Sequence, residues 1–144
     1  MVELTAKEAL NLLKADEERL NLLENEKASL LALLEEIRVA KESLNVLPEK
    51  EEEAMVPIGG TVLVPAKLGG KTVNVGVGAG VVLEESIEDA IKILEKRERR
   101  INLQLNEITD IQRKIRERDR KISEKLREFF KEQERTGEGV PVIG

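Results

Sequence analysis

The stretch IEDAIKILEKRERRINLQLNEITDIQRKIRERDRKISEKLREFF, residues 87–130, decides the fold. An apolar side chain recurs in it at every seventh position: Ile87, Leu94, Ile101, Ile108, Ile115, Ile122 and Phe129. An unbroken stripe of this period predicts a long helix in a left-handed supercoil. A chain of 144 residues cannot wrap a globular core around such a helix. The stripe must lie along one long partner.

The first third of the chain supplies that partner. Thr5 and Glu8 stand at capping-box spacing. Behind them a seam runs through Ala6, Ala9, Leu13, Asp16, Leu20, Leu23, Lys27, Leu30, Leu34, Ile37, Lys41 and Leu44, in alternate steps of three and four. Lys27 and Lys41 are expected to snorkel or to weaken pairing locally, and Asp16 to weaken it likewise. Pro48 and the run Glu49-Lys50-Glu51-Glu52-Glu53 end the helix. The second helix starts at Ser86, with Asp89 three residues on, and Thr136-Gly137-Glu138-Gly139 stops it. The predicted helices are 5–47 and 86–133, with 134–144 as a flexible tail.

Charge supports the pairing. Residues 1–53 hold seven basic and fourteen acidic side chains, whereas residues 92–131 hold fourteen basic and eight acidic ones. Two helical regions of opposite charge are expected to lie against each other, with Glu8, Glu17, Glu18 and Glu24 available for ion pairs at the rim.

Residues 54–84 are a different material, in which valines alternate with small residues and glycines punctuate them. Four short strands are predicted: Ala54–Ile58, Thr61–Lys67, Lys71–Val77 and Val81–Glu84. Gly59-Gly60, Leu68-Gly69-Gly70 and Ala79-Gly80 are the turns. Val73, Val75 and Val77 share one face by the period of two, as do Val62 and Val64. Pro57 and Pro65 cannot donate to a ladder, so each should sit at an edge or a bulge. Two hairpins are too little to stand alone. Val56, Ile58, Val62, Val64, Val73, Val75, Val77 and Val81 are therefore expected to form an oligomer interface, with strands of several subunits closing into a β-barrel. The expected fold class is α+β: one domain, 1–144, made of a long antiparallel two-helix coiled coil with two β-hairpins between the helices.

Composition narrows the chemistry. The chain has no Cys and no His, which removes thiolate and imidazole catalysis and disulfides. Its aromatics are Phe129 and Phe130, so a thick core is not expected. Gly76, Gly78 and Gly80 lack phosphate-loop spacing and read as turn and bulge glycines. Glu51, Glu52 and Glu53 read as a solvated linker rather than a cation site. The basic stretch Arg113-Lys114, Arg116, Arg118, Arg120 and Lys121 is interleaved with Glu117 and Asp119 and has no aromatic for base stacking. It reads as a solvated, helix-pairing face rather than a nucleic-acid site. No apolar run approaches a membrane span and the first residues do not form a signal peptide, so a cytoplasmic, non-enzymatic protein without cofactor or metal is expected.

Three local motifs carry a resemblance. Val56-Pro57-Ile58-Gly59, Val75-Gly76-Val77-Gly78-Ala79-Gly80 and Ser86-Ile87-Glu88-Asp89-Ala90-Ile91 resemble the two hairpins and the opening of the second helix of the prefoldin alpha subunit, of archaeal type. The resemblance implies a hexamer of two alpha and four beta subunits. It implies a double-barrel base whose projecting coiled coils hold unfolded proteins at their tips without ATP and deliver them to a group II chaperonin. Self-assembly, as a structural scaffold or a filament-forming paralogue, is the alternative.

The residues near the helix ends fit client capture. Leu4, Leu10, Leu13, Ile122, Leu126, Phe129 and Phe130 crowd a two-helix end that has one seam to bury. Phe129 and Phe130 are adjacent, so both cannot point inward. The competing reading is that these side chains merely close the end of the coiled coil, which fits Leu13, Ile122 and Leu126 best.

Overall fold

The computed structural model describes residues 5–136, so Leu4 and residues 137–144 of the expected tail lie outside the described residues. The element order is α1 (Ala6–Val46), β1 (Glu52–Gly59), β2 (Val62–Leu68), β3 (Thr72–Gly78), β4 (Val81–Ser86) and α2 (Ile87–Thr136). Two long helices thus enclose two small antiparallel hairpins.

Local chemistry sets the boundaries. At the start of α1, Thr5 N–H donates to Glu8 Oε2 at 3.1 Å and Glu8 N–H donates to Thr5 Oγ1 at 3.2 Å, the reciprocal pair that satisfies two orphan donors. Ser86 ends β4 and also caps α2, its Oγ accepting from Asp89 N–H at 3.1 Å. The far end of α2 runs to Thr136, beyond the predicted stop at 133. Glu134 and Arg135 are good helix formers, Arg135 pairs with Glu132 at 3.8 Å, and the first breaker is Gly137.

The chain divides into two units: a terminal unit, Met1–Leu30 with Leu103–Gly144, and a central unit, Leu31–Asn102. In the terminal unit Ala9 packs with Ile122 and Leu126, Asp16 meets Arg118, and Glu24 meets Gln112. Rising numbers on one helix against falling numbers on the other mean that the segments are antiparallel. Every predicted seam position of α1 is buried or half-buried. The stripe of α2 is likewise enclosed from Ile87 to Ile122.

The hairpins in the central unit share one design. β1 pairs with β2 and β3 with β4, each pair a separate two-stranded sheet. Gly60-Thr61 and Ala79-Gly80 are the two-residue loops, and all four residues have positive φ, between 51° and 74°. That is the type I′ geometry, whose twist matches paired strands. A register shift precedes each loop, between Pro57 and Gly59 and between Gly76 and Gly78. The second shift breaks the predicted face of Val73, Val75 and Val77. Val73 and Val75 are half-buried, whereas Val77 is the extra residue of the bulge and is exposed.

The connection between hairpins fixes one glycine. Gly70 N–H donates to the Pro48 carbonyl at 2.9 Å. A Cβ on Gly69, whose φ is +133°, would stand 2.6 Å from the Lys50 carbonyl oxygen and 2.8 Å from that of Pro48. Only glycine fits both the angle and the space.

Candidate functional site

Two surfaces combine exposed apolar side chains with a defined scaffold, and each belongs to one unit.

In the terminal unit, Ala9, Ile122 and Leu126 form a small core, with Ala6, Leu12, Leu13 and Phe130 packed against it. Leu10 and Phe129 remain 38% and 37% exposed. The Phe129 and Phe130 rings meet edge to face, with centroids 5.9 Å apart. The seven-residue stripe places Phe129 inward, yet Phe130 takes the inner position. From Ile122 the inner residues step by four, to Leu126 and then to Phe130. Beside this core lies a shallow cleft of about 360 Å³ lined by Ser123, Leu126, Arg127, Phe130, Lys131 and Glu134. Its floor is apolar and its rim is charged. Of the expected client-binding residues, Ile122 and Leu126 are mostly buried, Leu13 and Phe130 are half-buried, and Leu10 and Phe129 face solvent.

The seam holds polar layers that the apolar stripe conceals. Four residues after each of Leu94, Ile108 and Ile115 come Glu98, Gln112 and Asp119, at the other inward heptad position. In the terminal unit Gln112 is 1% exposed and its Nε2 donates to Glu24 Oε2 at 3.0 Å. Asp16 is 3% exposed and Arg118 Nη2 donates to both its oxygens, at 2.6 and 2.7 Å. In the central unit Lys41 Nζ lies 3.5 Å from Glu98. Asp16 and Lys41 are therefore partnered rather than mere interruptions. The signal for these layers was the polar residue type at a heptad position, read on both helices together. Half of the basic stretch of α2 pairs with acids: Arg113 with Asp110, Arg118 with Asp16 and Arg120 with Glu124.

In the central unit the hairpin side chains are exposed to an unusual degree. Ile58, Val62, Val64, Val77 and Val81 face solvent, as do Met55, Leu63, Val82 and Leu83. Val56, Val73 and Val75 are half-buried. Strand edges matter as much as side chains. A two-residue loop makes its closing pair, Gly59 with Val62, mutually hydrogen-bonded, and the pairs then alternate. Pro57 (opposite Leu63) and Pro65 (opposite Met55) fall in the non-bonded pairs. Their nitrogens lie on the outer edges, so β1 and β2 each lack one outward donor. In the second hairpin the same alternation turns the Gly76 carbonyl outward, where Arg97 Nη2 donates to it. β4 alone of the four strands has neither a proline nor this arginine cap on its outer edge.

No described helix is long and apolar enough to cross a membrane, and no group of three or more acidic side chains among the described residues is placed to hold a metal ion.

Comparison with known proteins agrees with this architecture. The family model described as prefoldin subunit matches residues 16–132. Among solved structures, a chain of filamentous PFD from Methanocaldococcus jannaschii, determined by cryo-EM, superposes with a TM-score of 0.53 over 85% of this chain and 98% of that one, at 21% identity. At that identity the likeness is one of fold. No curated protein matches the sequence.

Proposed function

The chain belongs to the prefoldin family of chaperone subunits, and from that premise we propose that it is an ATP-independent holdase subunit. Its hairpins assemble it with other prefoldin-type subunits, and its free helix ends hold unfolded polypeptide for transfer to a group II chaperonin. The observation that carries this reading is the partial burial at the helix ends. Ala9, Ile122 and Leu126 close the seam, while Leu10, Phe129 and the Phe130-lined cleft stay within reach of a client. A fully buried apolar side chain contributes roughly 1.5–3 kcal/mol. Partial contact at such a surface contributes less, so each helix pair binds weakly and releases readily. Several pairs in one assembly give the avidity that capture needs.

The interface role of Val56, Ile58, Val62, Val64, Val73, Val75, Val77 and Val81 rests on their exposure in two isolated hairpins, which strands of other subunits would cover. The test is suppression of aggregation of a chemically denatured enzyme by the purified protein, with and without beta-type subunits, beside native mass spectrometry. Capture by an oligomer supports the reading. An assembled protein that leaves aggregation unchanged overturns the holdase role. It would favour the second reading, a structural scaffold or filament, which the open β4 edge also supports. A chain that stays monomeric with every prefoldin-type partner overturns both.

A further inference from the structure

We propose that Asp16 and Asp119 form a proton-operated latch in the terminal unit: one proton shared by their carboxyl groups joins α1 to α2, and its loss sets two carboxylates against each other. Asp16 is almost completely enclosed, and the Arg118 guanidinium occupies both its oxygens. Asp119 follows Arg118 on α2, and its carboxyl group lies within hydrogen-bonding reach of Asp16 across the seam. Its Oδ1 is buried without a hydrogen-bond partner. Two ionised carboxylates cannot bond to each other, since neither carries a donor. A proton on one of them supplies the missing donor and removes the repulsion in the same step.

The surrounding charges leave Asp119 as the proton's home. From α1 it is faced by Asp16, and Arg19 of the same helix acts on Asp16. On α2 the neighbouring cation is Arg118, which is committed to Asp16. Burial, and next the Asp16 carboxylate, push Asp119 up from 3.8 to about 6. Burial alone would raise Asp16 as well, but the hydrogen bond with Asp119 and the Arg118 guanidinium outweigh it and hold Asp16 below its ordinary value.

The signs of the two linkages differ. Stability from a raised carboxyl is fully present below its unfolded value, 3.8, and is lost as pH rises through about 6. Stability from the lowered Asp16 is present above 3.8 and lost as pH falls through its depressed value. The latch is therefore closed between about pH 4 and pH 6 and opens toward neutrality. The next inward contacts toward the helix ends are those of Ala9, Ile122 and Leu126. Opening the latch thus loosens the scaffold that presents Leu10, Phe129 and Phe130. This inference stands whether or not the helix ends bind clients.

The test uses the full chain. A carboxyl carbon NMR titration of the wild-type protein should place the Asp119 midpoint near 6. Amide exchange in the terminal unit, corrected for intrinsic rates, should report local opening about tenfold more frequent near pH 7.5 than near pH 5. Asp119→Asn carries a permanent amide donor toward Asp16 and should abolish that tenfold difference while keeping the helix content. An Asp119 midpoint near 4, or an Asp119→Asn protein that retains the wild-type pH dependence, overturns the latch.

Discussion

Replacing Gln112 by Leu should stabilise the terminal unit, and the size of the gain follows from its surroundings. Among the described residues Gln112 is the largest side chain that is fully enclosed, and it donates an inter-helix hydrogen bond to Glu24. Leucine has nearly the same volume and fits the same heptad position. Burying it in place of an amide contributes roughly 1.5–3 kcal/mol. The lost hydrogen bond costs about 1 kcal/mol, because the exposed Glu24 carboxylate turns to water once its partner is gone. The net gain is about 1 kcal/mol, or ~3–5 °C in the melting midpoint for a chain of this size. Circular dichroism melting at fixed protein concentration measures it, since assembly makes the midpoint depend on concentration. Gln112→Ala provides the contrast: it opens a cavity and should lower the midpoint, at a cost of about 2 kcal/mol. Gln112 thus acts as a register device that trades stability for a unique pairing of the helices. A Gln112→Leu protein that melts below the wild type refutes it.

Other substitutions probe the remaining surfaces. Leu10→Ser with Phe129→Ser removes the two most exposed apolar side chains of the helix ends and should reduce client capture severalfold with the melting midpoint nearly unchanged; undiminished suppression of aggregation would remove these residues from the mechanism. Phe130→Ser should reduce capture too, but with a lower midpoint, because Phe130 packs on the core of the unit. Gly69→Ala combines a φ of +133° with contacts under 3 Å to two carbonyl oxygens, and should cost about 3 kcal/mol or more. Gly70→Ala, at φ +119° with open space, should cost only about 1–2 kcal/mol, so equal midpoints for the two variants would contradict the packing argument. Glu84→Pro removes an outward donor from β4 and the exposed Thr72 hydroxyl bond to the Glu84 side chain, but no backbone ladder bond, and should weaken assembly at least about fivefold in dissociation measured by sedimentation, one ladder bond being worth about 1 kcal/mol. Leu63→Pro alters the β2 edge, already interrupted at Pro65, and should have little effect; equal losses for both would mean that β4 has no special role.

Much of this architecture was legible in the chain because it is written in periods. The α1 seam was recoverable residue by residue, since alternate steps of three and four leave no other common face. The hairpins followed from Gly-rich turns between valine runs, although Thr61 and Ala79 adopt positive φ without being glycine. Three features were hidden, each for a physical reason. The swap of Phe129 and Phe130 is a local change in the last turns, where Phe130 packs on the small core, and a strict seven-residue count runs past it. The bulge at Val77 is a backbone event, and alternation in the sequence runs straight through it. The inter-helix pairs of Asp16 and Gln112 are properties of two segments about a hundred residues apart, so neither helix read alone could supply them.

The hidden pairs also explain how a thin core can specify one register. Apolar seam residues of similar size tolerate a shift of one heptad at little cost, because each leucine or isoleucine finds an equivalent hole. Polar residues do not: moved by seven positions, Asp16 would lose Arg118 and Gln112 would lose Glu24. With Ile111 in the place of Arg118, enclosed Asp16 would be left uncompensated, a loss of about 3–5 kcal/mol, which exceeds what any single apolar contact on this seam returns. The layers differ in kind, however. Gln112 meets Glu24 through a permanent amide donor, whereas Asp16 with Asp119 is attractive only when a proton is present. The layer nearer the helix ends thus combines a permanent pair, Arg118 with Asp16, and a conditional one, Asp119 with Asp16. Register is held by the permanent pairs, Gln112 with Glu24 and Arg118 with Asp16, and the freedom that a binding surface needs is confined to the last turns, where Leu10 and Phe129 are exposed.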